Sequence, residues 1–212
     1  MPAAPNNYDK VASFYDRLSL LIFGGALRRA QWSLLSVLHP GHRVLIVGGG
    51  SGWILEAMSA RVPEGLHITY IEISANMTAL AMKKQVGKNE VVFINDSIAT
   101  QQLAPESFDI VLTAFLFDNF PPAAGAALFA QLHHALKPGG YWLFADFKLA
   151  EGRGFWQRPL LKAMYFFFGA LCQVQARQLN DMDALFRQYR YKLVQQKDYY
   201  GRFVNAAICE KV

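Results

Sequence analysis

The feature that most constrains this chain is a short apolar run that breaks straight into glycine. Arg43-Val-Leu-Ile-Val47 is followed by Gly48-Gly-Gly50-Ser-Gly52, and then by Trp53 to Ala60, which reads as a helix. A brief, uninterrupted, β-branched run is the pattern of a parallel strand covered on both faces. Glycine directly after it lets the backbone turn sharply and lie close to a ligand, where a β-carbon would intrude. The amides that open the next helix then face that ligand. The alternation continues down the chain. Strands are expected at 67–72, 91–94, 108–113 and 141–145, with helices at 74–84 and 122–136. Two last strands, 192–198 and 203–209, flank Tyr199-Tyr-Gly-Arg202 and read as an antiparallel hairpin. The expected fold is α/β, a doubly wound, mostly parallel, seven-stranded Rossmann-like sheet ending in that hairpin.

The organisation expected is one domain over 1–212. Residues 1–40 form an N-terminal helical cap, 41–150 a nucleotide-binding core, 151–190 a helical insert on the substrate side, and 191–212 the final hairpin. In the cap, Val11, Phe14, Tyr15, Leu18, Leu21 and Ile22 recur at helical spacing, with a break at Gly24-Gly25.

Read as G-x-G-x-G, the loop uses Gly48, Gly50 and Gly52. A dinucleotide fingerprint needs a third glycine where Trp53 stands, and an indole there keeps the helix off a pyrophosphate, which argues against a NAD-dependent oxidoreductase. Glu72 closes the second strand in an otherwise apolar stretch and is placed to accept hydrogen bonds from both hydroxyls of a ribose. Asn95-Asp96-Ser97 ends the third strand. Asp96 is placed to accept from an adenine amine, with Ile73 and Ile98 on the two ring faces; its alternative role is an Asx-turn.

Three stretches carry a resemblance. Tyr8-Asp-Lys-Val-Ala-Ser-Phe14-Tyr-Asp16, Arg43 to Gly52, and Ala135-Leu-Lys-Pro-Gly-Gly140-Tyr-Trp-Leu-Phe-Ala-Asp146-Phe147 resemble class I S-adenosylmethionine (SAM)-dependent methyltransferases, and nearly the whole chain is similar to the ubiquinone/menaquinone biosynthesis C-methyltransferase family. The resemblance implies SAM as cofactor, S-adenosylhomocysteine as product, no metal, and an opening segment with Tyr15 folded over the cofactor. The cofactor contacts expected are then Gly48, Gly49, Gly50 and Gly52 in the loop, Glu72 and Ile73 after the second strand, Asp96 and Ser97 after the third, Ala114 at the fourth, and Tyr15. The chain departs from the family at Ile46, where an acidic residue is usual, at Gly49 for a cysteine, and at Asp118-Asn119 for an Arg-Asn pair.

Methyl transfer from SAM is an in-line displacement at a carbon already activated by positive sulfur, so holding donor and acceptor collinear is the main requirement. The expected acceptor is small and apolar or aromatic, phenol- or quinone-like. Asp118 and Tyr15 are the candidate catalytic groups, and Asp118, Asn119, Phe115 and Tyr165 the candidate substrate contacts. Asp118 reads equally as a base, as a grip on a polar handle, or as a cap for the helix opening at Pro122. The second reading of the whole chain is a SAM-binding, methyltransferase-like protein without catalysis. His133 and His134 near a helix carboxyl end read as structural, in a position that favours imidazolium.

Nucleic acid is not the expected target. Base-methylating enzymes carry an Asn/Asp-Pro-Pro-aromatic motif after the fourth strand, and here that place reads Ala114-Phe-Leu-Phe117, with Asn119-Phe-Pro-Pro122 in the wrong order. The net charge of +5 comes from both ends of the chain. The run Pro159 to Cys172 is too apolar for an exposed helix, so it reads as a pocket roof, a core helix, a homodimer face or a peripheral membrane contact, the last favoured by Arg153, Arg158 and Lys162 beside it. Cys172 and Cys209 form no spaced pair, and the N-terminus lacks a secretion pattern, so the expected location is the cytoplasm.

Overall fold

A computed structural model describes residues 8–9, 11–12, 14–150, 152, 154–172 and 176–212. Two short helices, α1 (Tyr15–Phe23) and α2 (Ala26–Leu34), precede strand β1 (Arg43–Val47). Then follow α3 (Trp53–Arg61), β2 (Glu64–Ile71), α4 (Ala75–Ala81), β3 (Lys88–Ile94) and β4 (Phe108–Ala114). The chain continues through α5 (Pro122–Ala135), β5 (Leu136–Phe147), α6 (Gly154–Cys172), α7 (Met182–Gln188), β6 (Lys192–Tyr199) and β7 (Val204–Glu210).

The seven strands form one sheet in the order β3-β2-β1-β4-β5-β7-β6. Strands β1 to β5 pair in parallel, and β7 runs antiparallel between β5 and β6. The order reverses between β1 and β4, so the carboxyl ends of those two strands frame the crevice where α/β sheets bind ligands.

Side chains alternate between the two faces along each strand, and the core divides accordingly. Val44 and Ile46 of β1 join the helices α1, α2, α3 and α6 in one cluster. Leu45 and Val47 join α5 and α7 in the other. Helix α2 buries Ala26, Leu27, Ala30 and Leu34, one stripe of a 3.6-residue repeat, against the sheet. Under α5, Trp142 is fully buried, stacks on Phe129 at 4.5 Å, and donates its indole N–H to Thr113 Oγ1 at 2.9 Å.

Several boundaries differ from the sequence expectation. Strand β5 begins at Leu136 and not at Tyr141, because Leu136 already pairs with Phe108 before a register shift carries the chain past Pro138-Gly-Gly140. Helix α4 is capped by Ser74 as expected and runs from Ala75, but it stops at Ala81, short of the expected 84. The insert expected on one side divides between both. Helix α6 packs on the first cluster through Leu161 and Met164, whereas α7 puts Met182 and Phe186 into the second. Among the described residues no helix is long and apolar enough to cross a membrane.

Candidate active site

The glycine loop is shaped by its neighbours. Gly48, Gly50 and Gly52 all have left-handed φ values, of 68°, 63° and 81°. Gly52 could not carry a side chain for a second reason: a β-carbon would lie 2.6 Å from the Ala81 Cα. At Gly49 the obstacle is Tyr70, whose ring would be 2.4 Å away. Tyr70 in turn donates its hydroxyl to the Gly50 carbonyl at 2.9 Å, so the second strand clamps the loop. A β-carbon on Gly50 would meet nothing within 4 Å, because that residue faces the open cleft.

Glu72 sits one residue beyond β2 and is 5% exposed. Its Oε2 accepts from the Gly50 amide at 3.0 Å and its Oε1 from the Ser74 amide at 2.9 Å. Burial raises its pKa, and those two amides oppose the rise. Asp96 also borders the cleft, but its oxygens are engaged by its own loop: Oδ1 accepts from the Ser97 amide, and Oδ2 from Thr100 Oγ1 and Gln101 Nε2. The carboxylate thus braces the turn after β3 through the next residue's amide and two side chains. Ser97 borders the cleft and caps the short 3-10 turn that follows, accepting from the Ala99 amide. Ile73, Ile98 and Ala114 line the same cleft.

The opening segment lies across this cleft. Asp9 Oδ1 accepts from Ser74 Oγ at 2.5 Å and from the Asn76 amide at 3.0 Å, at the start of α4. Tyr8 donates its hydroxyl to Asn119 Oδ1 on the far side. Asp16 Oδ2 accepts from Ser51 Oγ at 2.7 Å, so α1 is tied to the loop itself.

A second cavity of about 370 Å³ adjoins the cleft. Helix α1 walls it with Leu18, Ile22 and Phe23, and α6 with Leu160, Met164 and Phe167. Tyr8, Tyr15, Phe115 and Asn119 line both spaces, as do Ser19 and Leu27 of the N-terminal helices, and the three rings with Asn119 form the partition between them. Tyr8, Tyr15 and Phe168 pack ring against ring at about 6 Å. Among the described residues Asp118 is the one acid on the wall of this second cavity, and Asn119 Nδ2 donates to its Oδ1 at 2.9 Å. It does not cap α5, whose N-cap is Pro121 with no side-chain bond.

Behind Asp118 stands Asp146, at the end of β5 and 4% exposed. Its carboxyl accepts from the Phe117 amide at 3.1 Å and the Phe147 amide at 2.8 Å, which pins the turn that carries Asp118. Burial pushes Asp146 up to about 7. Burial first, and then the charge of Asp146, hold Asp118 well above the usual carboxylate range.

Tyr165 does not reach the cavity wall as expected. Its hydroxyl is buried without a hydrogen-bond partner, within the field of Asp118 and Asp146. His133 also departs from expectation. Burial, and then the charge of Lys211, lower its pKa, and the cation at the end of α5 is Lys211, which donates to the His133 and Leu136 carbonyls. Asp146, Asp16 and Arg28 escaped the sequence reading. Asp146 carried the same signal as Glu72, an acid closing an apolar strand; Asp16 closes the opening stretch that carries the resemblance, though no role was expected of it, and Arg28 carried no signal.

Residues 44–140 match the methyltransferase domain family. The ubiquinone/menaquinone biosynthesis C-methyltransferase UbiE of Rhizobium leguminosarum bv. trifolii is 30% identical over 166 residues, which cover 74% of this chain and 61% of that protein. The chain thus spans less than two thirds of that relative's length. A SAM-dependent methyltransferase from Aquifex aeolicus superposes with a TM-score of 0.63 at 18% identity, over 95% of this chain and 98% of that one. The 1,6-didemethyltoxoflavin-N1-methyltransferase of Burkholderia thailandensis, solved with bound 1,6-didemethyltoxoflavin and S-adenosylhomocysteine, gives a TM-score of 0.66 at 16% identity, over 95% of this chain and 85% of that one.

Sheet order, terminal hairpin and domain match define the class: this is a class I SAM-dependent methyltransferase fold. Within that class the chain resembles the ubiquinone/menaquinone biosynthesis C-methyltransferases. The cofactor of the class is SAM, and the residues present fit it. Gly50 leaves open space above the β1–α3 turn, and a buried carboxylate beside it has lone pairs for a ribose.

Proposed function

We propose that this protein transfers the methyl group of SAM to a small, apolar, aromatic acceptor bearing a phenol- or quinol-like hydroxyl. The observation that carries the reading is the apolar cavity that shares Tyr8, Tyr15, Phe115 and Asn119 with the glycine-loop cleft and has a carboxyl, Asp118, in its wall. Bound SAM supplies a methyl carbon activated by positively charged sulfur. Glu72 and the glycine loop hold the nucleoside, with Ile73, Asp96, Ser97 and Ala114 along the same cleft. The walls from α1 and α6 exclude water and press the acceptor towards the partition, and such positioning is worth about 7–11 kcal/mol.

The acceptor loses one proton as its new bond to carbon forms. Asp118 takes it in this reading. Because burial and Asp146 raise its proton affinity, its carboxylate is a stronger base than one in water, nearer to a phenol's pKa of about 10. Tyr15 orders the partition and is itself held protonated by burial. The outer stripes of α1 and α6 expose Leu21, Phe155 and Phe166 beside Arg17, Arg158 and Lys162. That mixture of apolar and basic groups suits an anionic membrane surface from which a lipophilic acceptor enters between the helices.

The test is methyl transfer from labelled SAM to a panel of phenols and quinols. Asp118→Asn should lower kcat by about 100-fold or more while S-adenosylhomocysteine binds as before. Wild-type turnover in the variant would remove Asp118 from the chemistry, and wild-type protein that binds cofactor but methylates nothing in the panel would favour the non-catalytic reading.

A further inference from the structure

One polar group beside the second cavity takes no part in holding cofactor or acceptor. Among the described residues, the Tyr165 hydroxyl is the one buried side-chain oxygen or nitrogen without a hydrogen-bond partner. A buried group left in that state is costly, and native proteins keep few of them. Tyr165 lies on α6, one helical turn from Leu161 in the core and from Phe168 at the partition, so its ring packs between the two. Its chain neighbours Met164 and Phe166 wall the second cavity together with Asp118. The hydroxyl stands behind that wall, in the field of Asp118 and Asp146.

Asp118 has a use for such a group. To accept a proton it must first be ionised, yet its surroundings suit a charge badly. Asp146 faces it from β5, with Tyr8 from the opening segment, Tyr15 from α1 and Tyr165 from α6. Among the described residues no Lys, Arg or His pairs with either carboxyl. Asn119 is the side-chain donor to Asp118, at Oδ1, and the Tyr8 hydroxyl is already committed to Asn119. The Asp146 oxygens are taken by the Phe117 and Phe147 amides.

We propose that Tyr165 is a positioning residue for Asp118: its hydroxyl donates to the carboxylate whenever Asp118 is ionised, and lets go when Asp118 carries a proton. This rests on the reading of Asp118 as the base. The unbonded hydroxyl of the structure matches the second condition, which burial and then Asp146 favour. In turnover the acceptor's proton moves to an Asp118 oxygen, the carboxyl becomes neutral, and the hydroxyl is released. Tyr165 keeps its own proton throughout, because burial and then both carboxyls raise its pKa. It touches neither acceptor nor cofactor and acts only through Asp118.

Tyr165→Phe removes the hydroxyl and nothing else. The first test is thermal melting of ligand-free protein across pH. Near pH 5 the variant should melt above wild type, since an orphaned hydroxyl has gone. The hydroxyl lowers the proton affinity of Asp118, so the stability it adds appears only as pH rises through that titration, and the variant's advantage should shrink there. The second test is turnover with the best acceptor of the phenol and quinol panel. In the variant the rise of kcat with pH should move to higher pH by about one unit, a roughly tenfold loss on the limb, with KM for SAM unchanged. A melting advantage that ignores pH, a kcat profile equal to that of wild type, or a loss of kcat equal at every pH overturns the assignment; the last is what a packing role alone would give. Asp118→Asn separates the two readings. Wild-type turnover in that variant removes the base, whereas its loss beside an unaltered Tyr165→Phe profile removes Tyr165 alone.

Discussion

Replacing Asp146 by asparagine should alter the pH dependence of stability more than the stability at any single pH. In the folded protein burial keeps the Asp146 carboxyl protonated up to about 7, against 3.8 for an unperturbed aspartate. Between those values the unfolded chain sheds its proton and the folded one does not. Each pH unit therefore favours unfolding by about 1.4 kcal/mol, and the roughly three units amount to about 4 kcal/mol. The contribution is complete below about pH 4, where both states are protonated, and is lost once pH passes about 7. Asparagine has no such titration. It also turns one acceptor oxygen into a donor, so the Phe117 or Phe147 amide loses its partner, at a cost of about 1–3 kcal/mol that does not vary with pH. Asparagine also removes the Asp146 charge that, after burial, raises Asp118, so above pH 7 the proton affinity of Asp118 falls in the variant. Urea unfolding followed by circular dichroism from pH 4 to 7.5 measures the difference. The gap between variant and wild type should move by about 4 kcal/mol in favour of the variant as pH rises. Two parallel curves would refute the claim that Asp146 is held protonated by burial.

Gly52→Ala should destabilise the fold by about 1–3 kcal/mol and weaken S-adenosylhomocysteine, since it combines a left-handed φ of 81° with a contact 2.6 Å from the Ala81 backbone; unfolding and binding equal to wild type would contradict that loop geometry. The double variant Leu21→Asp, Phe166→Asp should lose sedimentation with vesicles containing phosphatidylglycerol, because both side chains are more than 80% exposed on the outer stripes. Wild-type protein that ignores such vesicles would remove the membrane route.

The sheet was legible because short apolar strands alternate with helix-period segments along most of the chain, as in a doubly wound sheet, and the last two strands read as a hairpin. What misled was punctuation. Pro138-Gly-Gly140 reads as a turn, yet it lies within β5, where a register shift accommodates it. Glu72 was legible because a carboxylate that breaks an apolar run needs a reason, and the structure places it against the Gly50 amide. The Asp118–Asp146 pair was not, because it arises where the turn after β4 meets the tip of β5, residues that nothing in the sequence links. Tyr165 illustrates the opposite limit. Helix α6 is so uniformly apolar that its sequence carries no phase, and the residues that face the cavity, Leu160, Met164 and Phe167, could not be told from Tyr165. The Arg28–Trp53 contact joins α2 to α3 across the chain and is likewise visible only in three dimensions.

The proposed function requires a SAM cleft and an apolar acceptor cavity to meet at the partition formed by Tyr8, Tyr15, Phe115 and Asn119. A crystal structure with S-adenosylhomocysteine bound tests it most directly. The ribose should lie within hydrogen-bonding distance of Glu72, with the sulfur directed at the partition and Asp118 beyond it. Sulfur directed away from the α1–α6 cavity, or protein side chains filling the space beside it, would contradict the account.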